Sequence, residues 1–161
     1  MSKSTNLLTI GALVAFAAVN TASAQVTQTV TFQVTAINQI SVTGAPSLTI
    51  NAAVAGSAPT SVTSAANTWS VTTNQSTALI TASIPLAMPA GLTLSANLTA
   101  PAGATSTGLT ALGTVAVNVV TGITKLNSAA LGLTYQLDAT AAAGVVISGT
   151  RVVTYTITGG T

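Results

Sequence analysis

From Val26 onward the chain alternates between apolar or β-branched side chains and Thr, Ser or Gln, and this period of two recurs almost to its end. Successive side chains on a β-strand point to opposite faces, so the pattern gives each strand one face for a core and one for water. Val26, Val30, Phe32 and Val34 share one face, against Thr27, Thr29, Thr31 and Thr35 on the other. The stripe returns at Leu48 and Ile50, at Trp69 and Val71, at Ile80, Ala82 and Ile84, and at Leu92, Leu94, Ala96 and Leu98. Later stripes are Val115, Val117 and Val119, then Leu133, Tyr135 and Leu137, and finally Val153, Tyr155 and Ile157. An amphipathic helix needs a repeat near 3.6, and no stretch has one; the Ala-rich piece Ala139 to Ala143 is short and stops at Gly144.

Turn chemistry falls between the stripes. Gly44-Ala45-Pro46 ends the first, and Gly56-Ser57-Ala58-Pro59 opens a polar Ser/Thr loop reaching to Asn67. Pro89-Ala90-Gly91 and Pro101-Ala102-Gly103 bracket the strand between them, since Pro presets its own φ and Gly supplies a positive one. Short, evenly spaced strands of this kind predict an all-β fold, an immunoglobulin-like antiparallel β-sandwich of about 7–9 strands. The expected core includes Trp69, Leu133, Tyr135, Leu137, Val153, Tyr155 and Ile157. Each large side chain buried there contributes roughly 1.5–3 kcal/mol before conformational entropy is subtracted.

Charge narrows the function. Lys+Arg number 3 and Asp+Glu 1, and the chain has no Glu, His or Cys. The four charged residues are Lys3, Lys125, Asp138 and Arg151. General acid–base catalysis, thiol nucleophiles and transition-metal sites need His, Cys or several carboxylates brought together, and one carboxylate does not supply them. The chain therefore reads as not an enzyme, with no cofactor and no metal. Nucleic acid is not an expected partner, because isolated cations do not build a phosphate-binding surface. Asp138 and Arg151 flank one connection, yet Asp138 shares parity with Thr134 and Gln136 and Arg151 with Val153 and Tyr155, so they are not expected to pair across a regular hairpin. The triplets Asn74-Gln75-Ser76 and Asn97-Leu98-Thr99 fit the N-glycosylation pattern, which matters only where the host modifies exported proteins.

The opening residues read as a processing segment. A basic start at Lys3, an apolar run from Leu7 to Val19 and the exit Ala22-Ser23-Ala24 match a signal peptide over residues 1–24. The apolar run falls well short of the ~20 residues that cross a bilayer. The remainder, residues 25–161, is the usual size of one domain and is expected to be secreted or held at the cell surface, with no transmembrane segment.

A sandwich has edge strands, and monomeric proteins usually blunt them with Lys, Glu or Pro. This chain has almost none of the charges needed. The run Val26 to Ala36 is long, alternating and close to the start of the mature chain. It either completes its own sheet or adds to the edge of a neighbouring subunit, with Val26, Val30, Phe32 and Val34 filling the partner's groove. Periodicity leaves both arrangements open.

The segment Thr29-Val30-Thr31-Phe32-Gln33-Val34-Thr35-Ala36, followed by Ile40-Ser41-Val42 and Leu48-Thr49-Ile50, resembles the opening of the spore coat protein U family and related secreted pilin-like domains of chaperone-usher systems. The ending, Ala143-Gly144 and then Gly149-Thr150-Arg151-Val152-Val153-Thr154-Tyr155-Thr156-Ile157, is similar to the turn and last strand of those domains. The resemblance implies an immunoglobulin-like domain at the cell surface, often polymerised by strand donation and assisted by a periplasmic chaperone or usher. Many such domains carry a Cys pair, which this chain lacks.

The expected function is a non-catalytic structural subunit of a pilus, fibre or surface coat, with itself as main partner. The alternative is a secreted module that binds polysaccharide or a solid surface, including ice. Exposed aromatics suit polysaccharide, but the apolar stripes claim Phe32, Trp69, Tyr135 and Tyr155. Thr arrays such as Thr27, Thr29 and Thr31, or Thr154, Thr156 and Thr158, suit a solid, but no fixed solenoid repeat accompanies them.

Overall fold

The computed structural model describes residues 23–160, so nearly all of the signal peptide expected over residues 1–24 lies outside the described residues. Contacts divide the chain into two units, Met1–Gln33 and Val34–Thr161. In the first unit, residues 23–33 belong to no strand and are exposed throughout. Among the described residues, the strand expected over Val26 to Ala36 does not form. Alternation supplies one apolar face, but a strand also needs a hydrogen-bonded neighbour.

The second unit is an antiparallel β-sandwich. Its strands are β1 (Asn38–Val42), β2 (Val62–Thr63), β3 (Asn67–Thr73), β4 (Ala78–Ser83), β5 (Leu92–Leu98), β6 (Thr105–Ser106), β7 (Thr110–Ala111), β8 (Val117–Ile123), β9 (Leu126–Ala139) and β10 (Thr154–Thr158). Three of the ten are two-residue pairings, and the other seven match the expected count. One sheet has the order β1-β3-β9-β5-β7, with β2 also on β9; the other has the order β10-β4-β8-β6. The longer strands after β1 alternate between sheets, so each connection crosses the sandwich and each strand turns its apolar stripe inward.

β9 organises the first sheet. Its first part pairs with β3 from Leu126↔Thr73 to Leu133↔Asn67, and its second part pairs with β5 from Leu133↔Leu98 to Ala139↔Leu92. The register shifts between Trp69 and Val71, and Ala130, facing this irregularity, has φ 54°. Trp69, Ile80, Ile84, Leu98, Val119, Val120, Ile123 and Leu133 are fully buried between the sheets. The Trp69 indole donates from Nε1 to Thr99 O at 3.2 Å, which satisfies its one polar group at the edge of the core. Tyr135 is buried, whereas Leu137, Val153, Tyr155 and Ile157 are half-buried.

Both Pro-Ala-Gly segments form tight turns as expected. Leu92 N donates to Pro89 O at 3.0 Å and Ala104 N to Pro101 O at 3.1 Å, with Gly91 at φ 79° and Gly103 at φ 81°. Two stripes differ from expectation. Leu48 and Ile50 lie outside any strand, although Leu48 packs on the core, and Val115 is exposed before β8 begins. Among the described residues no helix is long and apolar enough to cross a membrane.

Candidate assembly site

The exposed apolar residues at the start of the described chain are those of the first stripe. Val26 is 92% exposed, Val30 73%, Phe32 90% and Val34 77%. Large apolar side chains are ordinarily scattered singly over a surface, and four on one face of an extended run form a pattern that suits burial. Their parity is also that of Ile40 and Val42 in β1. In an extended chain from Val26 to Val42 these apolar residues share one side, interrupted by Gln28 and Asn38, and only Ile40 and Val42 lie in a strand.

The second unit has open edges. Among the described residues β10 pairs only with β4, from Thr154↔Ser83 to Thr158↔Leu79, and its other backbone edge has no strand partner there. β1 is likewise outermost in its sheet, and β1 and β10 lie beside one another where the two sheets meet. Burial records the difference between inner and outer strands. Ile80 and Ala82 on β4 are fully buried, whereas Tyr155 and Ile157 on β10 are half-buried, as is Ile40 on β1. Neither β1 (NQISV) nor β10 (TYTIT) carries a Lys, Glu or Pro that would deter a further strand.

A polar cluster closes one end of this seam. With the Asn38 amide oriented to satisfy both sides, its nitrogen donates to Thr73 Oγ1 at 2.6 Å and its oxygen accepts from Gly159 N at 3.3 Å. The start of β1 is thereby tied to β3 and to the residue after β10. Next to it, the Asn74 side chain accepts from Ile37 N at 2.8 Å and donates from Nδ2 to Thr35 O at 2.7 Å. The Asn74 backbone N donates to Ile37 O at 3.2 Å. Ile37 is opposite Asn74 in the continued β1–β3 register, because Asn38 pairs with Thr73. The Asn74 amide stands in for the next residue of β3, and the ladder is prolonged from Asn38 back to Thr35. In the sequence Asn74 stands out only as part of a glycosylation triplet, because its role depends on the register of β1 against β3.

The remaining polar groups are local ties. Asp138 accepts from Ser61 Oγ and, at 2.9 and 3.1 Å, from Gln136 Nε2. Arg151 donates from Nε and Nη2 to Ala87 O at 3.0 and 2.9 Å, and from Nη1 to Thr150 O. As the parity of their stripes suggested, these two side chains have different partners. Tyr155 Oη donates to Tyr135 Oη at 3.0 Å, joining the two sheets inside the sandwich. Burial raises the pKa of both phenols above the ordinary tyrosine range; at Tyr155 the hydrogen bond to Tyr135 and the nearness of that phenolate add to it.

A shallow depression of about 560 Å³ lies beside the cluster, lined by residues that include Ile37, Asn74 and Lys125. It lacks the enclosing walls of a small-molecule site. The candidate site is therefore a strand and an edge rather than a pocket. Comparison with known proteins finds no matching family model, and neither a curated protein nor a solved structure matches the chain.

Proposed function

We propose that this chain is a non-catalytic structural subunit of an extracellular assembly, joined to copies of itself when the Val26–Val34 segment of one copy adds to the open β10 edge of another. The observation that carries this reading is Phe32, 90% exposed in the middle of an alternating run that belongs to no strand. Nine residues of extended chain span about 30 Å, longer than β10, so the segment is long enough to pair along the whole edge. Backbone hydrogen bonds would supply affinity, and Val30, Phe32 and Val34 would cover the half-buried Tyr155 and Ile157. The resemblance of both chain ends to secreted pilin-like domains supports the same reading, and with it export and a chaperone or usher as a transient partner.

Electron microscopy of material sheared from the native cell surface, with the subunit identified by mass spectrometry, tests this directly. Ordered filaments or sheets built from the chain are expected, and deletion of residues 25–35 should abolish them while leaving the sandwich folded by circular dichroism. Discrete monomers in the medium, with no ordered polymer, would overturn the reading and favour a binder of polysaccharide or a solid surface.

A further inference from the structure

The alternation in Val26–Val34 leaves two possible occupants for the β10 edge, the chain's own segment and that of a second copy. We propose that Asn74 decides between them: its side chain acts as a latch that holds residues 35–37 straight, so the segment cannot return to its own β10 and is available only to another molecule. This rests on the assembly reading above and names its partner as a second copy.

Geometry carries the argument. The end of β10 lies at the start of β1, since Gly159 N meets Asn38 and a Cβ on Gly159 would lie 2.7 Å from the Asn38 side chain. A segment preceding β1 reaches its own β10 only by reversing direction between Thr35 and Asn38. Asn74 bonds to Thr35 O, Ile37 N and Ile37 O, three groups on one side of an extended backbone, across the point where reversal is needed. A hairpin there would break these bonds.

Sequence provides an independent reason. Two-residue hairpins need positive φ and hence Gly, Asn or Asp at their centre. Gln25 to Ile37 contains none of these and no Pro or Ser; the nearest glycine is Gly44. The run is rich in Val and Thr, whose branched side chains resist positive φ. The latch and the missing turn residues act in the same direction, and the first adds fixed geometry to what the second merely disfavours.

The test uses the full chain and two readouts. Hydrogen exchange reports the latch: the Ile37 amide should be protected in the wild type and exchange on the order of 10-fold faster in Asn74→Ala, the loss expected for one hydrogen bond. Size-exclusion chromatography reports the partner. The wild type should form polymers, and Asn74→Ala carrying an inserted Asn-Gly turn between Ala36 and Ile37 should give closed monomers whose residue 26–34 amides are protected. Unchanged Ile37 exchange in Asn74→Ala overturns the latch, as does undiminished polymer in the turn-inserted variant. Wild-type monomers with protected 26–34 amides would overturn both the latch and the assembly reading. Wild-type monomers with unprotected amides would sink the assembly reading alone, and a faster Ile37 amide in Asn74→Ala would still uphold the latch.

Discussion

At the scale of single residues, burial raises the pKa of Tyr155 and Tyr135, and the pair is expected to shape how the protein responds to alkali. Burial keeps both phenols protonated above their ordinary range near 10. Above that pH the unfolded chain releases protons that the native state retains, so the unfolded state binds fewer protons and stability falls as pH rises. Below it both states are protonated and the contribution is fully present. With one Asp+Glu and no His, little else titrates between about pH 4 and 9. The melting midpoint is expected to be nearly flat across that window and to drop above about pH 10. Replacing Tyr155 by Phe should make the drop shallower in thermal scans; an unchanged alkaline slope would show that the pair is not its source.

At the scale of elements, the Gly91 turn shows where one residue fixes a strand. Gly91 has φ +79°, and a Cβ there would lie 2.8 Å from the Ala143 backbone and from Thr140 Oγ1. Gly91→Ala is expected to cost about 1–3 kcal/mol, read as a lower denaturant midpoint with little change in slope. This turn was legible in the sequence because its chemistry is local. So were the stripes of Trp69 and Val71, of Ile80, Ala82 and Ile84, of Leu94, Ala96 and Leu98, and of Leu133 and Tyr135, all buried in the core. The first stripe was legible as alternation but not as unpaired, since pairing depends on a neighbour distant in sequence. The full length of β9 was hidden because Ala129-Ala130-Leu131-Gly132 interrupts the period where the register shifts against β3. Of the candidate site, Val26, Val30, Phe32 and Val34 could be named from sequence, whereas Asn74 and Asn38 could not. Their amides matter only because Asn38↔Thr73 brings them to the end of one ladder.

At the scale of the whole molecule, the proposed contact joins a donor and an acceptor that are different surfaces of one chain. A contact between unlike surfaces repeats head to tail and does not close unless its rotation happens to return to the start, so it favours open fibres over rings. Such a fibre has a direction, with an unused segment at one end and a bare β10 at the other. A copy lacking residues 25–35 retains β10 but has nothing to give, and once added it leaves no segment to extend from. Mixed with the intact chain at a small fraction, it should shorten the fibres, their mean length falling inversely with its share, as measured by the length distribution in micrographs. In the proposed assembly the segment that leaves each subunit incomplete is also the means of counting subunits: fibre length becomes a matter of how often a terminator, rather than another monomer, takes up the last unused segment.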